Sequence, residues 1–340
     1  MKKTTSALAI AALLSTGAAS AATFQLDDNN SMTVYGGVYF AGSNVEQGDG
    51  TTESDIFDNG TTLGFDFTSE MSNGLTAFAR LEEDGFDMVD GGTGGYRSAD
   101  GNTQFTDEAY AGIRGDFGSV QFGRDDSLYD NMIGDYFNYQ EVFTPTTYGP
   151  TKQRALKFVT TAIDGFTFGA EAQINGDFDE SLSATTVNGE DPNGNTADSV
   201  SLAGAARYTS DAVTVTGSID QRGNDAVGAY YVDSPIYGLA AAFDLSAVGI
   251  TTGYQTFEFE TANGTVGTDI LSVDGRYTYG PGDVYGTYQQ VDQDNVDERD
   301  EVVLGANYSF SKFYGFVEYI AYDRDQDAGD AVSVGGGYTF

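Results

Sequence analysis

The chain of 340 residues contains neither histidine nor cysteine, two side chains on which much protein chemistry depends. Without cysteine there is no thiolate nucleophile and no disulfide, and without histidine there is no imidazole base or metal ligand. A serine hydrolase, for example, normally needs a histidine to activate its nucleophile. Any chemistry of this chain must therefore rest on carboxylates, a few basic side chains and tyrosines.

Carboxylates dominate the charge of the chain, with 52 Asp and Glu against 15 Lys and Arg and a net charge of −37. Acid–base catalysis needs two groups whose environments pull their pKa values apart, and no pair stands out from this dense background. The acidic runs 292–300 and 323–329 lack the full layout of an EF-hand calcium loop. We therefore expect no enzyme, no cofactor and no metal site. An acidic surface also excludes nucleic acid as a partner.

Several of the charged side chains alternate with apolar ones along the sequence. Arg80 and Glu82 flank Leu81, for instance, and Lys157 lies between Leu156 and Phe158. Successive side chains of a β-strand point to opposite faces, so alternation predicts strands with one charged and one apolar face. The charged positions that follow this rule are Arg80, Glu82, Lys157, Arg207, Asp274, Arg276 and Glu318.

The same alternation runs through the whole chain from Ser31 onward, in stretches bounded by Gly, Asn, Asp and Ser. In the last stretch Val332, Val334, Tyr338 and Phe340 share one face, and small or polar residues occupy the other. With 45 glycines and only 5 prolines, the composition suits strands and tight turns. We expect no amphipathic helix between residues 22 and 340, and hence an all-β fold.

The connections between these strands alternate in length. Short turns are expected at residues 72–74, 115–118, 210–211 and 280–283, and longer acidic loops at 41–59, 85–104, 125–153, 176–198, 293–299 and 323–330. Outer-membrane barrels have short turns at the periplasmic end and long loops at the outer end. The count of about sixteen strands is even, as closure requires, provided that residues 225–245 form one strand and not two. The pattern predicts a transmembrane antiparallel up-and-down β-barrel.

In a membrane barrel, the charged face of each strand can be assigned to the interior or to lipid. A lipid-facing Lys or Arg near the membrane midplane costs about 2–4 kcal/mol, so the charged positions are assigned to the interior. The mean hydropathy of −0.30 does not oppose this, because lipid-facing and interior residues alternate and their average cancels.

The N-terminus has the features of an export signal. Lys2 and Lys3 precede an apolar run at residues 7–14, and Ala19-Ser20-Ala21 forms an A-x-A cleavage motif. A buried N-terminal helix is the alternative, but the apolar run is too short to span a bilayer. We expect a signal peptide at residues 1–21 and one barrel domain at 22–340.

Three segments carry a family resemblance: NGLTAFARLEED at residues 73–84, YAGIRGDFGSVQFGR at 110–124 and GGGYTF at 335–340. They resemble the general trimeric porins of the Gram-negative outer membrane. The resemblance implies a homotrimer in outer-membrane lipid, with a water-filled channel for passive diffusion of small hydrophilic solutes and ions. Tyr338 and Phe340 resemble the terminal signal that the outer-membrane assembly machinery reads.

In that family the third loop folds into the channel and sets acidic side chains against basic ones on the wall. The equivalent segment here is 125–153, and YDNMIGDYF resembles a shortened version of the loop centre, with Asp130 and Asp135 at the acidic positions. The loop acids implied in this way are Asp125, Asp126, Asp130, Asp135 and Glu141.

The chain departs from the family pattern on the basic side of the channel. Asp107 and Thr160 stand where the family often has arginine, and Arg154 and Lys157 are the candidates to replace them. The excess of acids favours a weak preference for cations.

Two other functions remain open. A substrate-specific channel, for example for sugars, would use an aromatic track, for which 22 tyrosines leave room. An exported soluble β-sandwich acting as an adhesin would explain the alternation and the acidity, but not the terminal Phe340 or the one-sided loop lengths.

Overall fold

The chain is almost entirely β-structure in a computed structural model, which describes residues 21–47, 50–84, 107–137, 140–143, 153–175, 199–221, 226–227, 230–231, 235–261, 264–294, 298–322 and 328–340. The expected signal peptide and most of the loops 85–104, 176–198 and 323–330 lie outside these residues. In the described part, no helix is long and apolar enough to cross a membrane.

Twenty strands, one short α-helix and one 3-10 helix at Gly134–Tyr136 make up the described structure. They are β1 (Ala22–Gln25), β2 (Asn30–Gln47), β3 (Thr52–Asp58), β4 (Thr62–Glu70), β5 (Thr76–Glu83), β6 (Glu108–Gly115), β7 (Gly118–Asp125), α1 (Leu128–Met132), β8 (Gln153–Thr160), β9 (Phe166–Asn175), β10 (Ser199–Thr209), β11 (Val213–Gln221), β12 (Ala226–Val227), β13 (Tyr230–Tyr231), β14 (Ile236–Asp244), β15 (Val248–Thr261), β16 (Gly264–Thr278), β17 (Gly282–Gln293), β18 (Arg299–Phe310), β19 (Phe313–Tyr322) and β20 (Ala328–Thr339).

Sixteen of these strands close into one antiparallel barrel, as the alternation predicted. Around the ring, β2 pairs with β4, β11 pairs with β14, the other barrel strands pair with their neighbours in the chain, and β20 returns to pair with β2. Closure gives each of the sixteen barrel strands a partner on both sides, which reduces the hazard of edge-to-edge association. The soluble β-sandwich alternative is therefore wrong.

β1 and β20 pair with different parts of the same strand, β2. Residues 37–47 of β2 pair with β20, and residues 31–34 of the same strand pair with β1. Between them, the backbone of Phe340 exchanges two hydrogen bonds with that of Gly36. The barrel is thus closed by the two ends of the described chain.

The two faces of each strand differ as the period of two requires. In β14, Tyr237 and Leu239 are 51% and 56% exposed on the outer face, whereas Ile236 and Ala240 on the inner face are 0% and 1% exposed. Aromatic and branched apolar side chains cover the outer face throughout the described strands. Such a surface suits lipid and would be costly in water.

Three expectations need correction. Residues 41–59 do not form a loop, because β2 continues to Gln47 and pairs with β3 as a long hairpin. Residues 225–245 supply one barrel strand, as expected, but it covers only Ile236–Asp244. β12 and β13 form a small hairpin whose Tyr231 pairs with Glu260 of β15. The chain also contains α1, a helix that the sequence argument did not expect.

Candidate functional site: the barrel interior

The segment after β7 begins with α1, which lies against the inner face of the wall. Ser127 caps the helix by accepting a hydrogen bond from the Asp130 backbone N–H. Leu128 and Met132, four residues apart, lie on one side of the helix and are buried against Ala203 of β10. The apolar spacing and the Ser cap were the signals in the sequence that could have predicted this helix.

Glycines on the inner face make room for this segment. Gly169, Gly238 and Gly253 lie in β9, β14 and β15, and an added Cβ would collide with Leu128, Tyr129 and Phe137, respectively. Tyr129, Ile133 and Phe137 then pack with Ile236, Ala240 and Phe257 in an apolar cluster on this side of the interior. The segment is therefore held against one wall by close contact.

Lys157 fixes the start of the segment. Its ammonium donates to Asp125 Oδ2 at 2.6 Å, to the Asp126 carbonyl at 2.5 Å and to Asn131 Oδ1 at 3.0 Å, and it lies 3.8 Å from Glu171 Oε2. Glu171 in turn accepts the Leu128 backbone N–H at 2.9 Å. Lys157 and Glu171 are only 4% and 3% exposed, so each charge depends on its partners.

Arg207 holds the end of α1. Its Nη2 donates to the carbonyls of Asn131 and Met132, both at 3.2 Å, and its Nε donates to Thr216. Carbonyls at the C-terminal end of a helix have no partner within the helix, and a guanidinium supplies one. The guanidinium also lies 5.8 Å from the centroid of the Tyr136 ring.

A second attachment joins residues 140–143 to the opposite part of the wall. Gln140 donates to Thr287, and the Glu318 carboxylate accepts the backbone N–H groups of Glu141, Val142 and Phe143. The Tyr285 hydroxyl donates to the same carboxylate at 2.6 Å. Glu318 is therefore a structural acceptor that binds the segment to β19.

Glu141 lies beside Glu318, so two carboxylates meet at this attachment. Burial, with the charge of Glu318 as the next cause, raises the pKa of Glu141 to about 7. Asn307 donates to the Glu141 carboxylate at 3.5 Å, which lowers this pKa. The charge of Arg276 lowers it to a smaller extent, and that of Asp283 raises it. Glu141 thus lies next to a like charge, with Arg276 close enough to lower its pKa, and its position opposite the wall bases stays a prediction.

A different polar cluster lies on another part of the interior wall, formed by β2 and β4 to β6. Arg80 donates to Asp66 at 2.8 Å and lies 3.4 Å from Glu108, while its guanidinium lies 5.2 Å from the centroid of the Tyr35 ring. Tyr35 donates to Glu82 at 2.5 Å. Side chains of Arg80 and Asp66 remain about one-third exposed, at 33% and 34%.

The remaining predicted positions are placed as follows. Arg276 lies 3.8 Å from Asp283, and Asp274 accepts hydrogen bonds from Ser272 and Thr287. Arg154 lies in β8, where its backbone pairs with Arg124, and its side chain is outside the described part. The side chain of Asp135 is also outside it, and the carboxylate of Asp130 lies over Gly134. The opposition of Asp130 and Asp135 to wall bases stays a prediction.

Sequence reasoning missed several acids of the interior. Asp66, Glu108 and Glu171 pair with Arg80 and Lys157, yet only the bases were singled out. All three lie on the same face of the sheet as the bases on neighbouring strands. Listing every charged residue that alternates with apolar ones would therefore have found them.

Two groups of carboxylates in the described part are close enough to hold a cation. One comprises Glu82, Asp107 and Glu108, and the other Glu108, Asp125 and Asp126. Arg80 and Lys157 already bind Glu108 and Asp125, so much of this negative charge has a partner.

Known proteins resemble the chain over its whole length. A monosaccharide porin of a Halomonas species is 28% identical over 385 aligned positions, which cover 100% of both chains. Among solved structures, the anion-selective porin of Comamonas acidovorans matches with a TM-score of 0.71 and 18% identity, covering 92% of this chain and 100% of that one. OmpT of Vibrio cholerae in its trimer form matches with a TM-score of 0.66 and 16% identity, covering 92% and 100%.

The family comparison agrees with the closed barrel, its apolar outer face and its charged interior. The Gram-negative porin model matches residues 5–327, nearly the whole chain. Members of this family are channels of the outer membrane and not enzymes. The chain therefore belongs to the Gram-negative porin family.

Proposed function

We propose that this porin lets small hydrophilic solutes and ions diffuse passively, with a weak preference for cations. The observation that carries the proposal is the interior wall, where acids outnumber bases among the described strand residues. The acids are Asp66, Glu82, Glu108, Asp125, Glu171, Asp220, Asp274, Asp283, Glu301 and Glu318, and the bases are Arg80, Arg114, Lys157, Arg207, Arg276 and Arg299. A wall with one dominant sign of charge concentrates the opposite ion.

The segment from Asp125 to Phe143 supports a constriction. It is attached to β8 and β10 by Lys157 and Arg207, and to β19 by Glu318, so it lies across the interior and leaves the Arg80 region of the wall opposite. Solutes then pass between this segment and that region. In this proposal Asp130 and Asp135 supply negative charge to the narrowest part.

Reversal potentials in planar bilayers under a salt gradient test the preference. The Asp130→Asn and Asp135→Asn double variant should lower the cation-to-anion permeability ratio, and Asp211→Asn, in an exposed short turn, is the matched control. The effect should shrink at high salt, because the screening length falls from about 10 Å at 0.1 M to about 3 Å at 1 M. An unchanged ratio at low salt would assign selectivity to the outer acidic loops, and an anion preference in the unaltered protein would refute the proposal.

A sugar-conducting channel is the second candidate, because the Halomonas relative is named a monosaccharide porin. Tyr35 and the charged pairs of Arg80 offer a ring and polar groups on one patch of the inner wall. Swelling of liposomes that contain the purified protein would distinguish the two. A general channel admits sugars, amino acids and other solutes according to size alone, whereas a sugar channel favours sugars over other solutes of equal size.

A homotrimer is also part of the proposal. The matching OmpT structure is described as a trimer form. The proposed N-terminal signal at residues 1–21 would deliver the chain for export. Native mass spectrometry of protein purified from outer membranes would give both the subunit number and the mature N-terminus.

A further inference from the structure

A groove of about 510 Å³ lies at the short-turn end of the barrel, on the outer face of β18 and β19. Gly315 and Ala306 lack large side chains and form its floor. Tyr308, which pairs with Gly315, and Phe310 and Phe313 are exposed around it. The lining is therefore apolar and aromatic, and it opens toward the membrane.

One basic side chain lies beside this groove. Lys312, in the turn between β18 and β19, places its ammonium 5.8 Å from the centroid of the Tyr338 ring, and Tyr338 in turn packs against Phe313 at 5.0 Å between ring centroids. Among described residues, no carboxylate lies within ion-pair distance of this ammonium. Its charge is available to a ligand.

The position of Lys312 is unusual for so acidic a chain. The other short turns, at residues 71–75, 116–117, 161–165, 210–212, 245–247 and 279–281, contain no Lys or Arg, and several carry Asp. Short turns of outer-membrane barrels face the periplasm. Among the residues of these described short turns, Lys312 is thus the one cation, and it lies next to the groove.

We propose that this groove binds a membrane phospholipid, with an acyl chain over Gly315 and Ala306 and the phosphate beside Lys312. The outer face of a membrane barrel is in contact with lipid, which makes lipid the available occupant. Aromatic side chains at the membrane boundary suit the junction between acyl chain and headgroup, because they are apolar at one end and polar at the other. A lysine near this boundary attracts an anionic headgroup.

The test is native mass spectrometry of the purified full-length protein in detergent, with phosphatidylglycerol or phosphatidylethanolamine added. Gly315→Leu fills the groove, since an added Cβ there meets only the Gly335 carbonyl at 3.7 Å. Gly275→Leu is the matched control, because Gly275 lies on the outer face of β16, away from the groove, and an added Cβ meets nothing within 4 Å. We expect retained phospholipid in the wild type and the control, and its loss in Gly315→Leu.

Lys312 is tested separately, so that the proposal does not depend on one variant. Lys312→Gln should reduce the preference for phosphatidylglycerol by about fivefold, the ratio that roughly 1 kcal/mol for one basic residue near an anionic surface gives. Lys312→Arg should keep the preference. If Gly315→Leu does not fold, Ala306→Leu fills the same floor from the neighbouring strand.

Two results would overturn the proposal. Equal phospholipid retention by Gly315→Leu and Gly275→Leu would mean that the groove holds no specific lipid. Dissociation of the oligomer by Gly315→Leu, with no lipid lost, would mean that the groove is a contact between subunits.

Discussion

At the scale of single residues, the interior contains two kinds of ion pair with different energetic weight. Lys157 and Glu171 are almost fully buried, whereas Arg80 and Asp66 are about one-third exposed. Removing one partner of a buried pair leaves an uncompensated charge away from water, but a partly exposed pair is screened by solvent. The attachment of the inner segment therefore depends far more on Lys157 than on Arg80.

Substitution of these two bases should show the difference. Lys157→Met is expected to lower the free energy of unfolding by roughly 3–5 kcal/mol, and Arg80→Met by roughly 1 kcal/mol or less. Equilibrium unfolding in urea with lipid vesicles gives both values. Combining Lys157→Met with Glu171→Gln should restore part of the loss, and equal costs for the two single variants would contradict this account.

Glu141 makes the second attachment sensitive to pH. Its raised pKa means that the attached state favours the protonated acid, so the stabilisation is complete below the ordinary pKa of about 4.5 and is lost as the pH rises through about 7. Above that pH Glu141 is charged and lies beside the side chain of Glu318. We expect larger fluctuations of single-channel current at pH 8 than at pH 5.

Glu141→Gln should remove this dependence on pH between 5 and 8, because the amide keeps its size and carries no charge. Glu46→Gln, exposed near the end of β2, is the matched control and should keep the dependence. Fluctuations in Glu141→Gln that still rise with pH would show that another group titrates.

At the scale of elements, the segment after β7 packs closely against β9, β14 and β15 because each of these strands has a glycine at the contact. Gly253→Leu in β15 would place a side chain where the Phe137 ring lies, and should push the segment from the wall into the channel. We expect a lower single-channel conductance. Gly249→Leu is the control, because Gly249 lies on the same strand and face and an added Cβ meets nothing within 4 Å. Equal conductance in both variants would contradict the expected displacement.

Strands and helix differed in how far the sequence could predict them. Alternation predicted the barrel because a period of two is repeated on strand after strand, and an error in one strand does not change the rule. It missed α1 because five residues are too few for a helical period to stand out, and the helix is stabilised by contacts with β9, β10 and β11. It mistook residues 41–59 for a loop because a hairpin beyond the membrane need not be apolar on either face.

The site was predictable to a smaller extent than the fold. The inward phase of Arg80, Lys157, Arg207 and Glu318 follows from alternation alone. Their partners do not, since Lys157 binds Asp125 from the adjoining strand and Asn131 from α1, and Glu318 accepts backbone groups 175 to 177 residues away. Such contacts depend on how residues far apart in the sequence pack against the wall.

At the scale of the whole molecule, the last residue completes the wall. Phe340 is hydrogen-bonded to Gly36, and an added Cβ at Gly36 would lie 3.1 Å from its ring. Removal of Phe340 should lower the amount of protein assembled in the outer membrane more than the stability of barrels already folded. Quantitative blotting of membrane fractions, with urea unfolding of the purified variant, measures both. Normal membrane levels would contradict a role in assembly.

The closure of β2 against β20 also has a consequence for how the barrel folds. These strands lie at opposite ends of the chain, so their pairing must bridge almost the whole sequence, and contacts between distant residues form slowly. No ring exists until the last strand has been made and translocated, and every earlier intermediate presents two unpaired edges. These edges must therefore be protected from aggregation until β20 has paired with β2.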